Sequence, residues 1–238
     1  MARDEAYYEA EEKIEQALKS GATELDLRNM KLTELPKSIG QLTQLRKLDL
    51  GHNVLKNNDE DENQLTQLPE SLGQLSQLQR LDLSENQLAT LPESLEQLTQ
   101  LQSLDLAYNQ LTTLPESLES LTQLRSLDLS NNQLTSLPMW IGNFTQLQSL
   151  DLSSNQLSVL PETLGNLRQL RLLGLSSNRL TALPDSLGRL AKLQSLFLPS
   201  NQLTVLPDTL KGLLQLQSLY LFDNRVKSFP DSLFNITQ

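Results

Sequence analysis

Cysteine is absent from the 238 residues. That excludes a disulfide framework and every thiolate chemistry, and it fits a reducing compartment. Phe, Trp and Tyr together supply only 4% of the chain, so few rings are available to shape a core. No apolar run approaches the ~18 residues of a membrane span. The charged start, Met1-Ala-Arg-Asp-Glu5, carries no apolar stretch of the secretory kind, so no membrane partner is expected. Basic residues are also scarce: 19 Lys and Arg against 29 Asp and Glu leave a net charge of -10. That balance argues against nucleic acid, whose phosphates are gripped by Lys and Arg. What is abundant is leucine, with 60 residues or one in four. A core built almost wholly of Leu points to one small unit copied many times.

Leu-Pro pairs mark the copies. Pro36, Pro69, Pro92, Pro115, Pro138, Pro161, Pro184, Pro207 and Pro230 are separated by one interval of 33 residues and then seven of 23. Upstream of each runs one pattern, for example Leu78-x-x-Leu81-x-Leu83-x-x-Asn86-x-Leu88, followed by Leu91-Pro92, Leu95 and Leu98. Asn53, Asn86, Asn109, Asn132, Asn155, Asn178, Asn201 and Asn224 fill the Asn slot. In Leu-x-Leu the side chains alternate faces, so Leu81 and Leu83 enter one core while Asp82 points out. Each short strand should pair in parallel with its copy about 4.8 Å away. The Asn side chain is expected to turn inward and bond backbone groups that Leu could not satisfy. Leu-Pro-Glu-Ser-Leu opens a short helical turn, with Pro at its first position.

The expected architecture is an α/β, right-handed solenoid of nine coils with a 23-residue repeat. Strands form a parallel concave sheet and short helical turns lie on the convex side. Residues 1–20 are expected to form an N-terminal capping helix, with Ala6, Ala10, Ile14, Ala17 and Leu18 on one face and Gly21 as its C-terminal cap. Residues 21–238 form the array, whose first coil is atypical, with Met30 in the Asn slot. A ten-residue acidic excess falls near 54–63, since Asn53-Val-Leu55 and Asn63-Gln-Leu65 both fit the repeat. It reads as a solvated, mobile loop. Asn57, Asp59, Asp61 and Asn63 alternate oxygen ligands as a calcium loop does, but the turn Gly and distal Glu of such loops are missing. No metal or cofactor ligand set is expected.

The outward strand position carries Asp26, Asp49, Asp82, Asp105, Asp128 and Asp151 in turn. Carboxylates about 5 or 10 Å apart suit a glycosidase, so a carbohydrate-active enzyme using this ladder is a distant alternative. Catalysis, however, wants two carboxylates in unlike environments, and a ladder supplies six similar ones. His52, the only histidine, stands near Asp49 and Ser84 in sequence register, but at a strand edge expected to be exposed. No catalytic residues are assigned. Asp is instead read as the solvated residue of this position.

The last coils change character. At the same outward position they carry Gly174, Phe197 and Tyr220, and adjacent outward positions add Leu172, Pro199 and Phe222. Together with Arg171, Arg179 and Arg225 these are residue types enriched at binding hot spots. They form the expected partner-binding face, continued by Asp105, Asp128 and Asp151. Met139 and Trp140 replace Glu-Ser on one helical turn and make a second candidate patch. The Leu edge of the last coil, from Leu216, Leu219 and Leu221 to Phe229, Leu233 and Ile236, has no polar cap after it. It is expected to fray or to join two chains end to end.

The repeats resemble intracellular, Leu-Pro-bearing leucine-rich repeats of the animal Ras-scaffold family, the plant Ras-group repeat proteins and the Roco GTPases. The opening helix followed by Thr23-Glu-Leu-Asp-Leu27 and Leu32-Thr-Glu-Leu-Pro36 looks most like the start of bacterial Roco proteins. No Gly-x-x-x-x-Gly-Lys-Ser/Thr phosphate loop occurs in the chain. The resemblance therefore implies a cytoplasmic, non-enzymatic protein-interaction scaffold within a larger signalling protein. Its partner would be a protein, either a Ras-like GTPase or the chain's own downstream domain, for which the array would serve as a regulatory arm.

Overall fold

A computed structural model describes residues 5–52 and 61–227. The chain divides into two compact units, residues 1–123 and 124–238. In the first, helix α1 (Glu5–Ser20) precedes strands β1 (Glu24–Asp26), β2 (Lys47–Asp49), β3 (Arg80–Asp82) and β4 (Ser103–Asp105). They pair in parallel and in sequence order, Leu25 beside Leu48 beside Leu81 beside Leu104. The second unit repeats the scheme with β5 (Ser126–Asp128), β6 (Ser149–Asp151), β7 (Leu172–Gly174), β8 (Ser195–Phe197) and β9 (Ser218–Tyr220). This is the strand-and-turn coil that the Leu spacing predicts.

The central Leu of each interior strand is buried, and so is the Leu after the strand. Between strands, Lys37–Gln41, Glu70–Gln74, Glu93–Gln97 and Glu116–Ser120 form 3-10 helices in the first unit. Met139–Asn143, Glu162–Asn166, Asp185–Arg189 and Asp208–Gly212 do so in the second. Pro is not their first helical residue, as the sequence suggests, but the one before it. Pro69, for example, is extended at φ -73°, ψ 144°. Its carbonyl accepts the Leu72 N–H at 3.0 Å and so starts the turn.

The Asn column behaves as expected and reaches further. Asn86 Oδ1 accepts the Leu65 N–H at 3.0 Å, while its Nδ2 donates to Leu50 O and Leu83 O. Each such amide thus ties its own coil to the preceding one. In coil two the slot belongs to Asn63, not Asn53, which lies outside the described residues. Asn63 Oδ1 accepts the N–H groups of Met30 and Leu32, and Nδ2 donates to Leu27 O and Leu50 O. The insertion therefore enters before the Asn slot, between His52 and Asn63. Of the mobile loop expected for residues 56–62, residues 56–60 lie outside the described residues.

Among the described residues helix α1 runs from Glu5 to Ser20. Its buried residues are Tyr7, Ala10, Ile14 and Ala17, so Tyr7 takes the place expected for Ala6, and Leu18 is 43% exposed. Gly21, at φ +63°, ends it. The Gly21 N–H donates to Leu18 O and the Ala22 N–H to Ala17 O, the paired bonds of a Schellman cap. At the other end of the described chain, Leu216, Leu219 and Leu221 are only half-buried, whereas Leu193, Leu196 and Leu198 one coil earlier are fully buried. Phe229, Leu233 and Ile236 lie outside the described residues.

Candidate functional site

Strand pairing brings the outward residues of each unit onto one face. In the first unit that face is charged. Arg28, Lys47 and Arg80 interleave with Asp49, Asp82 and Asp105 around a shallow depression of about 300 Å³. Lys47 Nζ lies 2.7 Å from Asp49, whose side chain is only 8% exposed. Asp26 is bonded twice by the Arg28 guanidinium, at 3.0 and 2.8 Å. The ladder is thus not the row of solvated carboxylates read from the sequence. Each of Asp82, Asp105, Asp128 and Asp151 turns one oxygen back to accept the N–H two residues on, from Ser84, Ala107, Ser130 and Ser153. These are Asx turns that close the strand's exit.

Two carboxyls are displaced in opposite directions. The hydrogen bond from Arg28 holds Asp26 below the usual carboxylate range. Its contribution to stability is present above the unfolded value and lost as pH falls through the folded one. Burial pushes Asp128 up; the bonds from Ser130 pull it back, and the Asp151 charge adds to the rise. A carboxyl raised on folding binds its proton more readily when folded, so stability falls as pH rises across the interval between unfolded and folded values. Asp128→Asn keeps an oxygen for the Ser130 N–H and removes the buried charge. It is expected to raise the denaturation midpoint at pH 7, with the gain vanishing in acid where Asp128 is itself protonated. Midpoints measured across that range check both signs.

The trio of His52, Asp49 and Ser84 is not assembled as a nucleophile and its base. Ser84 Oγ donates to Asp82 Oδ1 at 2.7 Å, and Asp49 pairs with Lys47. The His52 side chain is 7% exposed rather than open to solvent, and its Nδ1 lies 3.5 Å from Glu62 Oε1. Of the oxygens considered for a calcium loop, Asn63 is turned into the Asn column and Asp61 pairs with Lys31 Nζ at 2.9 Å. Asn57 and Asp59 lie outside the described residues.

In the second unit the strand face changes from carboxylate to ring. Phe197 and Tyr220 are register partners on β8 and β9, and their rings stack at 4.9 Å with planes 4° apart. That separation is the strand spacing itself, so the sheet sets the stack. Tyr220 is 44% and Phe222 68% exposed. Leu172 is half-buried, and Arg171, Arg179 and Arg225 are exposed. Pro199, expected on the open face, is buried; its carbonyl accepts the Ser177 N–H at 2.8 Å and the Asn201 amide at 3.3 Å. Gly174 ends the Asp run, and the Asp151 carboxylate occupies the space a Cβ would take there. Met139 and Trp140 sit on a 3-10 helix, not on the strand face. Met139 is 69% exposed, while the Trp140 ring meets Phe144 edge-on at 5.7 Å.

These coils have close counterparts. The leucine rich repeat family model matches residues 61–111, 124–180 and 168–226, and a two-copy leucine-rich-repeat model matches 99–142. The chain belongs to the leucine-rich repeat family. No curated protein matches the sequence. Among solved structures, a leucine-rich repeat protein of Leptospira interrogans is 32% identical with a TM-score of 0.72, over 92% of this chain and 66% of that one. The leucine-rich repeat domain of the type III effector XopL gives 27% and 0.80, over 98% and 79%. The Arabidopsis receptor kinase HAESA, solved with the peptide hormone IDA and the co-receptor SERK1, gives 35% and 0.68, over 81% and 32%. The chain therefore spans about two thirds of the Leptospira protein and a third of the receptor. No helix among the described residues is long and apolar enough to cross a membrane.

Proposed function

We propose that the chain is a non-enzymatic protein-interaction scaffold whose contact face is the strand side of the second unit. The observation that carries this reading is the Phe197–Tyr220 stack, continued by the exposed Phe222. Rings held rigid by a sheet present apolar area with little entropy left to lose on binding, and aromatic and Arg residues are the common hot-spot types. The receptor kinase HAESA, similar in fold and sequence, is a precedent in that it forms a complex with a peptide hormone and a protein co-receptor. The finer placement, in a cytoplasmic signalling protein of the Roco or Ras-scaffold type with a Ras-like GTPase domain as partner, is supported by the sequence resemblance of the opening coil. An enzyme using the Asp ladder is disfavoured, because the carboxylates are engaged in closing their own turns.

The test is affinity capture with the intact chain against Phe197→Ser/Tyr220→Ser, and against Met139→Ser as a control on the other side of the coil. Losing a hot spot of about 2 kcal/mol weakens binding about 30-fold. The aromatic variant should lose its partner to that degree, and the control should keep it. Equal capture by all three would remove the strand face from the interface.

A further inference from the structure

We propose that His52, Glu62 and Glu85, at the base of the insertion in the first unit, form a binding site for one divalent transition-metal ion of the zinc type. The repeat geometry explains how they meet. Strands β2 and β3 pair Lys47 with Arg80, which sets His52 beside Glu85 as the chain leaves the strand. After the insertion, Asn63 takes the slot that Asn86 takes one coil on, so Glu62 arrives beside the same Glu85. The insertion thus doubles a single position of the repeat. Other coils place one residue there, such as Tyr108, Ser154 or Ser177. This coil places two, and both are metal-ligating types.

One ligand atom from each of the three residues lies within 4.8 Å of the other two. The His52 Nδ1 to Glu62 Oε1 distance of 3.5 Å is too long for a hydrogen bond. Among the described residues Nδ1 is buried without a hydrogen-bond partner, on a side chain only 7% exposed. A fold seldom leaves a buried ring nitrogen in that state. Two half-buried carboxylates and the His52 imidazole therefore face one another. That set balances the charge of a divalent ion.

Its chemistry selects the metal. Calcium and magnesium prefer all-oxygen shells, whereas one imidazole nitrogen with carboxylate oxygens suits zinc and its neighbours. Zinc bonds of about 2.0–2.2 Å in a tetrahedron set donors roughly 3.3–3.6 Å apart, with three protein ligands leaving one position for water. The His52–Glu62 separation already meets that spacing, and rotation of the Glu85 side chain closes the remainder. A bound ion would clamp both ends of the insertion to the next coil.

The test titrates Zn²⁺ into the chelator-treated whole chain by calorimetry, with Ca²⁺ as the comparison ion and His52→Ala and Glu85→Gln as separate variants. The expected result is one Zn²⁺ per chain at about micromolar affinity or tighter, undisturbed by Ca²⁺. Each variant should weaken it about tenfold or more, at least the effect of losing a ligand's supporting contact. Co²⁺ in place of zinc should give the visible bands of a four-coordinate site in the wild type only. Melting in chelator separates ligand loss from misfolding. Should His52→Ala fail to fold, Glu85→Gln carries the test, since its backbone bond to Ala107 O is untouched. No stoichiometric zinc, undiminished binding in the variants, or loss in only one of two folded variants would overturn the three-residue site.

Discussion

Asn178→Ala is expected to destabilise the second unit by about 1–3 kcal/mol. Asn178 is buried. Its Oδ1 accepts the Leu157 N–H at 3.0 Å, and its Nδ2 donates to Leu152 O at 2.9 Å and to Leu175 O and Ser176 O at 3.2 Å. Truncation orphans the buried Leu157 N–H, a loss of about 1–3 kcal/mol, and leaves Leu152 O, Leu175 O and Ser176 O with their other donors, Asn155, Asn201 and Ser154. Water cannot easily replace the amide, because Leu152, Leu157, Leu175 and Leu180 around it are fully buried. Asn178→Asp should fail as well, since it sets a carboxylate oxygen against carbonyl oxygens. Asp128→Ala is the informative comparison. It removes the backbone and side-chain bonds from Ser130 but also relieves a carboxylate disfavoured by burial, so its net effect should be small. Chemical denaturation of the two variants decides the matter; equal midpoints would mean that the amide column does not join the coils.

The difference between these two columns shows what a repeat sequence reveals. Positions that recur every 23 residues were legible, because the repeat multiplies one weak signal until only one packing fits it. The strand register followed, and with it the meeting of Phe197 and Tyr220, since pairing Leu196 with Leu219 leaves their neighbours no choice. Residues that depart from the period were harder. Asn53 and Asn63 both precede x-Leu, and only the bonds of Asn63 to Leu27 O and Leu50 O show which one holds the slot. The cluster of His52, Glu62 and Glu85 depends on that choice, so it could not be seen before it. Tyr7 is buried with Ala10, Ile14 and Ala17, while Ala6 is half-buried at the margin of that face. Pro199 looked outward by alternation, yet the chain has left the strand by then and period two no longer applies. The Asp turns were missed for a related reason: an outward side chain was equated with a solvated one, whereas a carboxylate can fold back onto the backbone two residues on.

Phe144→Ala should be the most damaging single change in the core, at about 3–5 kcal/mol. Phe144 heads the fully buried side chains by size. It stands where the other coils carry Leu98, Leu121, Leu167 and Leu190, all of them fully buried. Its coil is therefore built around a larger side chain than its neighbours, and alanine would leave a larger cavity there than at any of the Leu positions. Phe144→Leu restores the residue of the other coils and removes far less volume than alanine, so it should lose only about 1–1.5 kcal/mol. The remaining difference belongs to Trp140, whose ring meets Phe144 at 60°; such a pair adds about 0.5–1.5 kcal/mol beyond area. Trp140 is the only tryptophan, so its fluorescence reports this contact without labels. Phe144→Leu should shift the emission while leaving the midpoint nearly in place, and Phe144→Ala should shift both. If the leucine variant lost as much as the alanine variant, ring packing rather than volume would govern the coil. In that case Trp140→Ser, which keeps the volume of Phe144, should show the same loss.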